Sequence, residues 1–128
     1  MMFWDLNGKQ HNVLLRTEDY PIKPEGAAKS KLQFLTGQKL QEFLPFALIL
    51  EEFKIPGHDL YIDFFIPHKL IAIEIQGQQH NKFVPFFHKT IGGFVKSQDR
   101  DTIKKEWCRI NNIDLIEIFT EKDLEELL

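Results

Sequence analysis

The sequence predicts an α/β domain built on one mixed β-sheet with helices packed against it, and three observations lead there. Three short apolar segments, each bounded by turn residues, follow one another between residues 48 and 75. Two amphipathic stretches with helical spacing flank them, and a final apolar segment comes after the second stretch. Strands joined by short links pair antiparallel, whereas a strand reached by a long crossover can lie parallel to an earlier one. At 128 residues, 43% hydrophobic and 27% charged, the composition is that of a single domain with a core large enough to fold without staples.

Residues 1–30 hold Gly8, Pro21, Pro24 and Gly26 around one β-rich run at 12–17, which predicts an arm with a short strand. The domain proper is expected over 31–128. Residues 31–46 place Leu32, Leu35, Leu40, Phe43 and Leu44 at helical spacings, with Ser30 as cap and Pro45 as stop. Strands are predicted at 48–53, 60–66 and 70–75, separated by Ile55-Pro56-Gly57-His58 and Pro67-His68-Lys69 and closed by Gly77, so that they form an antiparallel meander. Residues 78–93, with Pro85 and Gly92-Gly93, read as a loop. Residues 94–111 carry Val95, Ile103, Trp107 and Ile110 on a common helical face. The crossover strand is expected at 114–119 and a short terminal helix at 121–128.

The single cysteine, Cys108, cannot form an internal disulfide, and the first ten residues lack the cationic and apolar regions of a secretion signal. No apolar run approaches the roughly 20 residues that span a bilayer. A soluble cytosolic protein without a membrane partner is expected. Cys108 reads as a buried small hydrophobe, and Phe3, Trp4 and Trp107 as core. The net charge of −3 argues against indiscriminate binding to phosphate polymers. Its distribution is uneven: residues 82–109 hold seven Lys and Arg against three acids, a balance of +4, while 120–128 hold four acids against Lys122, a balance of −3. A phosphate-bearing partner would therefore dock on the first of these segments, through Lys82, Lys89, Lys96, Arg100 and Lys104.

Candidate chemistry gathers around two strands. Asp63 stands in a strand whose other positions are apolar or aromatic, and Glu74 and Gln76 share the face of the next strand opposite Ile71, Ile73 and Ile75. A carboxylate inside each of two hydrophobic neighbouring strands is costly unless its desolvation is offset. A divalent cation between them would do so, since Mg²⁺ takes oxygen ligands and keeps several waters; two carboxylates and the Ile75 carbonyl suffice. The plainer reading is that each acid faces solvent or pairs with a lysine such as Lys54 or Lys69. Against it stands the company that follows: His80, His88, then Arg100, Asp101, Lys104 and Lys105. The loop from Lys82 to Lys89 sets Phe83, Phe86 and Phe87 between basic residues. Two of these are expected in a core cluster, and the third is open between core and base stacking.

The runs Ile62-Asp63-Phe64-Phe65-Ile66-Pro67 and Ala72-Ile73-Glu74-Ile75-Gln76-Gly77-Gln78-Gln79-His80, with Arg100-Asp101, Lys104-Lys105 and Asn112 to Ile118, resemble the PD-(D/E)xK nuclease superfamily, within it the branch of very-short-patch-repair-like and phage homing-endonuclease-like domains. The resemblance covers residues 31–119 and implies the restriction-endonuclease-like fold and a Mg²⁺-dependent endonuclease, with Mn²⁺ as substitute, that nicks DNA or acts on a structure or mismatch in a phage or mobile-element setting. It implies that Asp63 and Glu74 bind the metal, that a helical glutamate, Glu42, assists, with Gln38, Glu51 and Glu52 as competing registers, and that His80 with His88 or Asp101 completes the catalytic group. His80 would act as base or as acid to the leaving oxygen. Gln76 departs from the superfamily's lysine and from the aspartate often found in this branch. A glutamine orients water or phosphate but brings no charge, so Lys104 or Lys105 would have to supply it, with Arg100 beside them. Specificity for a long DNA sequence would call for a homodimer or a larger partner. Two alternatives stay open: a nucleic-acid-binding module on the same fold without turnover, and a structural protein with unrelated acids. Two carboxylates serve RNA as well as DNA.

Overall fold

The computed structural model of the chain describes residues 1–77 and 91–127, without the side chains of 91–98. It is a mixed α/β structure. A two-stranded antiparallel hairpin, β1 (Met2–Trp4) and β2 (Gln10–Asn12), opens the chain. Helix α1 (Lys31–Phe43) leads into a four-stranded sheet made of β3 (Leu50–Lys54), β4 (Tyr61–Ile66), β5 (Ile71–Ile75) and β6 (Asp114–Ile118), in that spatial order. Helix α2 (Ile91–Ile110) precedes β6, and a short helix α3 (Glu121–Glu126) follows it. The first three strands of the sheet form the expected antiparallel meander, and β6 joins β5 in parallel.

Local chemistry sets the ends of these elements. The Ser30 hydroxyl accepts the Gln33 N–H at 3.1 Å and caps α1 as predicted. The helix stops at Phe43, three residues short of the predicted end, because Leu44 precedes Pro45 and is pushed out of helical backbone, at φ −128°. Helix α2 ends on Asn112 in left-handed backbone, φ 57°, while the Ile113 and Asn112 N–H groups reach back to the Cys108 and Arg109 carbonyls. It begins at Ile91, so Gly92 and Gly93 are helical where a loop was expected. Thr120 and Asp123 form a reciprocal capping box on α3.

Side-chain alternation divides the core between two faces of the sheet. Ala72 and Leu115 join Phe3, Leu50, Phe53, Ile55, Ile62, Phe65, Trp107, Cys108 and Ile113 on the face covered by α2 and the hairpin. Ile71, Ile73, Ile75, Ile116 and Ile118 join Leu40, Phe64, Ile66 and Leu124 on the face covered by α1 and α3. Gly37 lets α1 approach closely, since a Cβ there would meet the Phe64 ring at 3.3 Å. Cys108 is buried as expected, and burial pushes its thiol up to about 12. Phe3 and Trp107 are core, but Trp4 is 47% exposed: alternation along β1 turns Phe3 inward and therefore Trp4 outward. None of the described helices is long and apolar enough to cross a membrane.

The predicted strand at 12–17 lies instead at Gln10–Asn12, because the chain turns at Gly8, φ 81°, and pairs back onto Met2–Trp4. The Asp5 carboxylate holds this hairpin: it accepts the Asn7 and Lys9 N–H groups at 2.8 and 2.9 Å and pairs with His11 Nε2 at 2.7 Å. The His11 contact, and after it the Lys9 N–H, hold the Asp5 carboxyl down to about 2. Gly57 packs against this pair with φ 85°, where a Cβ would lie 2.7 Å from Asp5 Oδ2 and 2.9 Å from His11 Nε2. Gly57→Ala is thus expected to destabilise the protein by about 2 kcal/mol or more, through left-handed backbone and the displaced hairpin, as read from urea unfolding midpoints.

Candidate functional site

The two carboxylates singled out by the sequence meet at a split between strands. Pairing of β4 with β5 runs through Ile66–Ile71, Phe65–Ala72 and Phe64–Ile73 and ends there. At the next position the side chains take over from the backbone: the Asp63 N–H donates to Glu74 Oε2 and the Ile75 N–H donates to Asp63 Oδ2, both at 2.8 Å. On the other side, β3 pairs with β4 through Glu51–Phe64 and resumes at Phe53–Ile62, skipping Glu52 and Asp63. Glu52 sits in left-handed backbone at φ 55°. Alternation slips by one residue on both strands at this point, since Leu50 and Phe53 face the same core as Ile62 and Phe65, three residues apart in each case.

Two lysines stand against the pair. Lys104 Nζ donates to Glu74 Oε1 at 2.6 Å, with side-chain exposures of 17% and 4%. Helical spacing explains the aim: Lys104 lies three and four residues before Trp107 and Cys108, on the face of α2 turned to the sheet. Lys29, in the segment before α1, lies 3.1 Å from Glu52 Oε2 and 3.9 Å from Asp63 Oδ1. Gln33 on α1 spends its Nε2 on both neighbouring carboxylates, Glu51 Oε2 and Glu52 Oε1, at 2.9 Å each, and the Lys23 N–H completes Glu51 at 2.8 Å. The result is a cleft of about 390 Å³ lined by Lys29, Gln33, Asp63, Glu74, Gln76, Asp101 and Lys104, among others.

Burial dominates the electrostatics of Asp63. Desolvation first, and the Glu74 charge second, push its carboxyl up to about 8, against the pull of the Ile75 N–H, Lys104 and Lys29. Lys29 is held above its ordinary value: burial works to lower it, but Asp63, Glu52 and Glu74 together outweigh burial.

Asp63, Glu74, Ile75, Gln76, Asp101 and Lys104 thus converge, as the sequence suggested. Gln76 also ties the end of β5 to β6, its N–H donating to the Ile118 carbonyl at 2.8 Å. Other candidates stand elsewhere. Glu42 is exposed and lines a separate groove with Leu35, Lys39 and Leu124, because α1 presents Gln33, nine residues earlier, to the site. Of the competing registers, Glu52 reaches the carboxylate group, Glu51 is buried behind it, and Gln38 lines the groove with Glu42. Lys105, one residue round the helix from Lys104, pairs with Glu117 on β6 at 3.6 Å and faces away from the cleft. Arg100 is exposed and is not among the residues lining it. His80, His88, Lys82, Lys89 and the three loop Phe fall outside the described residues, and of Lys96 only the backbone is described. Sequence reading missed Lys29 and Gln33; the Ser30 cap between them was the one local signal that this turn is fixed.

Among the described residues no three His, Cys, Asp or Glu side chains form a metal-ligating group. Asp63 and Glu74 are buried, each fixed by a backbone N–H, and border the cleft, so they are the two carboxylates that could hold a hard cation such as Mg²⁺ together with water; Lys104 also sits on Glu74 Oε1.

The site and sheet define an α/β protein with a buried carboxylate pair and two lysines at one cleft. The chain is 32% identical over 110 residues to the uncharacterised protein 094L of Frog virus 3, covering 83% of this chain and 68% of that one. It belongs to the family of that protein. It is also 41% identical over 71 residues to the uncharacterised protein 307L of Invertebrate iridescent virus 6, and 38% identical over 64 residues to the uncharacterised protein 033L of Invertebrate iridescent virus 3. These alignments span 55% and 50% of this chain but 36% and 33% of those relatives, so the match covers about a third of their length. No family model and no solved structure matches the chain.

The Asp63 carboxyl has a testable consequence for stability. Unfolded, it ionises near 4; folded, near 8, so in this window the folded state holds the extra proton and stability falls as pH rises. Asp63→Asn, which can still accept the Ile75 N–H, is expected to flatten the decline between pH 4 and 8, by on the order of a few kcal/mol in urea unfolding without divalent metal.

Proposed function

We propose that the protein is a metal-dependent endonuclease of the restriction-endonuclease-like class, hydrolysing phosphodiester bonds in DNA. One observation carries the reading: Asp63 and Glu74 meet at the open end of the β4–β5 ladder, each accepting a backbone N–H of the other strand region, with Lys104 on one and Lys29 beside the other. A meander followed by a parallel crossover strand, with α1 leading and α2 between, is the arrangement the resemblance implies, and it supports the reading.

Asp63 and Glu74 would hold Mg²⁺, or Mn²⁺ in its place. Bound there, the ion supplies Lewis-acid polarisation of a phosphate oxygen and an acidified water. The chain's own part is positional and electrostatic. The sheet fixes the two carboxylates through the Asp63 and Ile75 N–H groups, so neither has to reorganise on binding. Lys104 supplies the positive charge that Gln76, at the superfamily's lysine position, cannot. Gln76 on the cleft wall remains able to orient a water or a phosphate oxygen. Asp101, one helical turn before Lys104, completes the polar wall on α2.

A second reading keeps the fold and the cleft but no turnover, and Gln76 is the observation that favours it. The relatives are viral proteins, in keeping with the phage or mobile-element setting the resemblance implies, and a dimer or partner would extend DNA contact beyond this cleft.

Supercoiled plasmid, mismatched and branched duplexes, and a matched RNA, incubated with Mg²⁺ or Mn²⁺, test the reading. Nicking by the wild type that falls to background in Asp63→Ala and in Glu74→Ala is the expected outcome, together with a calorimetric Mg²⁺ isotherm lost in Asp63→Ala. Binding of duplex without cleavage in either metal would select the second reading, and cleavage of RNA alone would reassign the substrate.

A further inference from the structure

We infer that Lys29 is a phosphate-positioning residue of this cleft, a hinged cation tethered by Glu52 that takes hold of a substrate phosphate once a divalent ion occupies the carboxylates. The inference rests on the nuclease reading above and assigns the substrate-facing cation within it. Lys29 and Lys104 differ in a way that separates their work. Lys104 is 17% exposed and donates at 2.6 Å to a carboxylate that is 4% exposed, so moving it would strand Glu74 as a buried unpaired charge. Lys29 is 60% exposed, its contact with Glu52 is an ordinary 3.1 Å, and its 3.9 Å to Asp63 is attraction across space rather than a bond. An ammonium has three N–H donors, and Glu52 accounts for one.

Charge decides when that capacity is used. Among the described residues Glu52, Asp63 and Glu74 face Lys29 and Lys104, so carboxyl groups outnumber ammonium groups where a phosphodiester would enter. A divalent cation on Asp63 and Glu74 would reverse that excess, hold Asp63 as the carboxylate and take up the charge that draws Lys29 toward it. The ammonium keeps its tether on Glu52 and turns to the next anion within reach. Glu52 is itself fixed by Gln33 Nε2 and by its left-handed backbone, so the tether is anchored rather than loose. Lys29 is followed directly by Ser30, whose cap on α1 sets where the lysine stem begins. A class of ligand follows: a singly charged phosphodiester, admitted only with a divalent ion present.

The test is equilibrium binding of a labelled DNA duplex, linear and branched, to the wild type, Lys29→Ala and Lys29→Arg. It is done in Ca²⁺, which fills oxygen-ligand sites, and in EDTA, across a salt series. Expected are binding that needs Ca²⁺, affinity lowered several-fold in Lys29→Ala with a log–log salt slope shallower by about one, and recovery of the slope in Lys29→Arg. Calorimetric Mg²⁺ affinity of Lys29→Ala should not fall, since a competing cation has been removed. Unchanged affinity and slope in Lys29→Ala, beside an active wild type, overturns this inference alone; so does a loss of Mg²⁺ affinity, which would make Lys29 a prop for the carboxylates. A wild type that neither binds nor cuts DNA in any metal overturns the nuclease reading and this inference together.

Discussion

A carboxylate in the middle of a sheet must find donors and a counter-charge, and the way Asp63 finds both organises the rest of this protein. Backbone pairing fails on either side of it, toward Glu52 and toward Glu74, and the side chains of Asp63 and Glu74 accept the Asp63 and Ile75 N–H groups near the break. The split that would be a defect in a structural sheet becomes a seat for two fixed carboxylates. Lys104 from one layer and Lys29 from the other side of the cleft counter their desolvation in part, and at Asp63 burial still prevails.

The two apolar clusters make this arrangement sustainable. Phe53, Phe65, Phe3 and Trp107 pack as tilted and edge-on rings 5.0–6.3 Å apart on one face, and Leu40, Phe64, Ile73 and Ile118 fill the other. Large rings in contact resist the collapse that would let the strands zip past the split. The one-residue slip in alternation at Glu52 and Asp63 preserves both clusters, because Ile62 and Phe53 cross together to the face of Phe65 and Leu50. The strained backbone of Glu52 belongs to the same compromise: it keeps the strand in the sheet while releasing one side chain to Gln33 and Lys29.

Polar supply to the cleft comes from two helices that approach from opposite faces. The sheet-facing stripe of α2 carries Trp107 and Cys108 into the core and, one turn earlier, Lys104 to Glu74. The first turn of α1 brings Gln33 to Glu51 and Glu52, and its cap fixes the preceding Lys29. Lys104 is aimed by the core residues Trp107 and Cys108 one turn away, and Gln33 shares the buried face of α1 with Thr36, Gly37 and Leu40, so the core and the site share the same packing.

The sequence by itself determined the mixed sheet and its meander, because apolar period and turn residues report which strands are neighbours and how they are joined, and its long crossover allowed the last strand to lie parallel. It also determined that Asp63 and Glu74 are the costly residues, since two acids in apolar strands stand out from any pattern of burial. Local chemistry likewise marked the Ser30 cap and the Pro45 stop. Three things were decided only by tertiary structure: that the ladder opens at Asp63, that Gln33 rather than Glu42 faces the site, and that Lys29 joins Lys104 there while Lys105 turns to Glu117. Helical period fixes which residues share a face, not which face meets which carboxylate. A lysine ahead of a helix cap has no period at all, so its partner, here 23 and 34 residues away at Glu52 and Asp63, is set by how the layers close on each other.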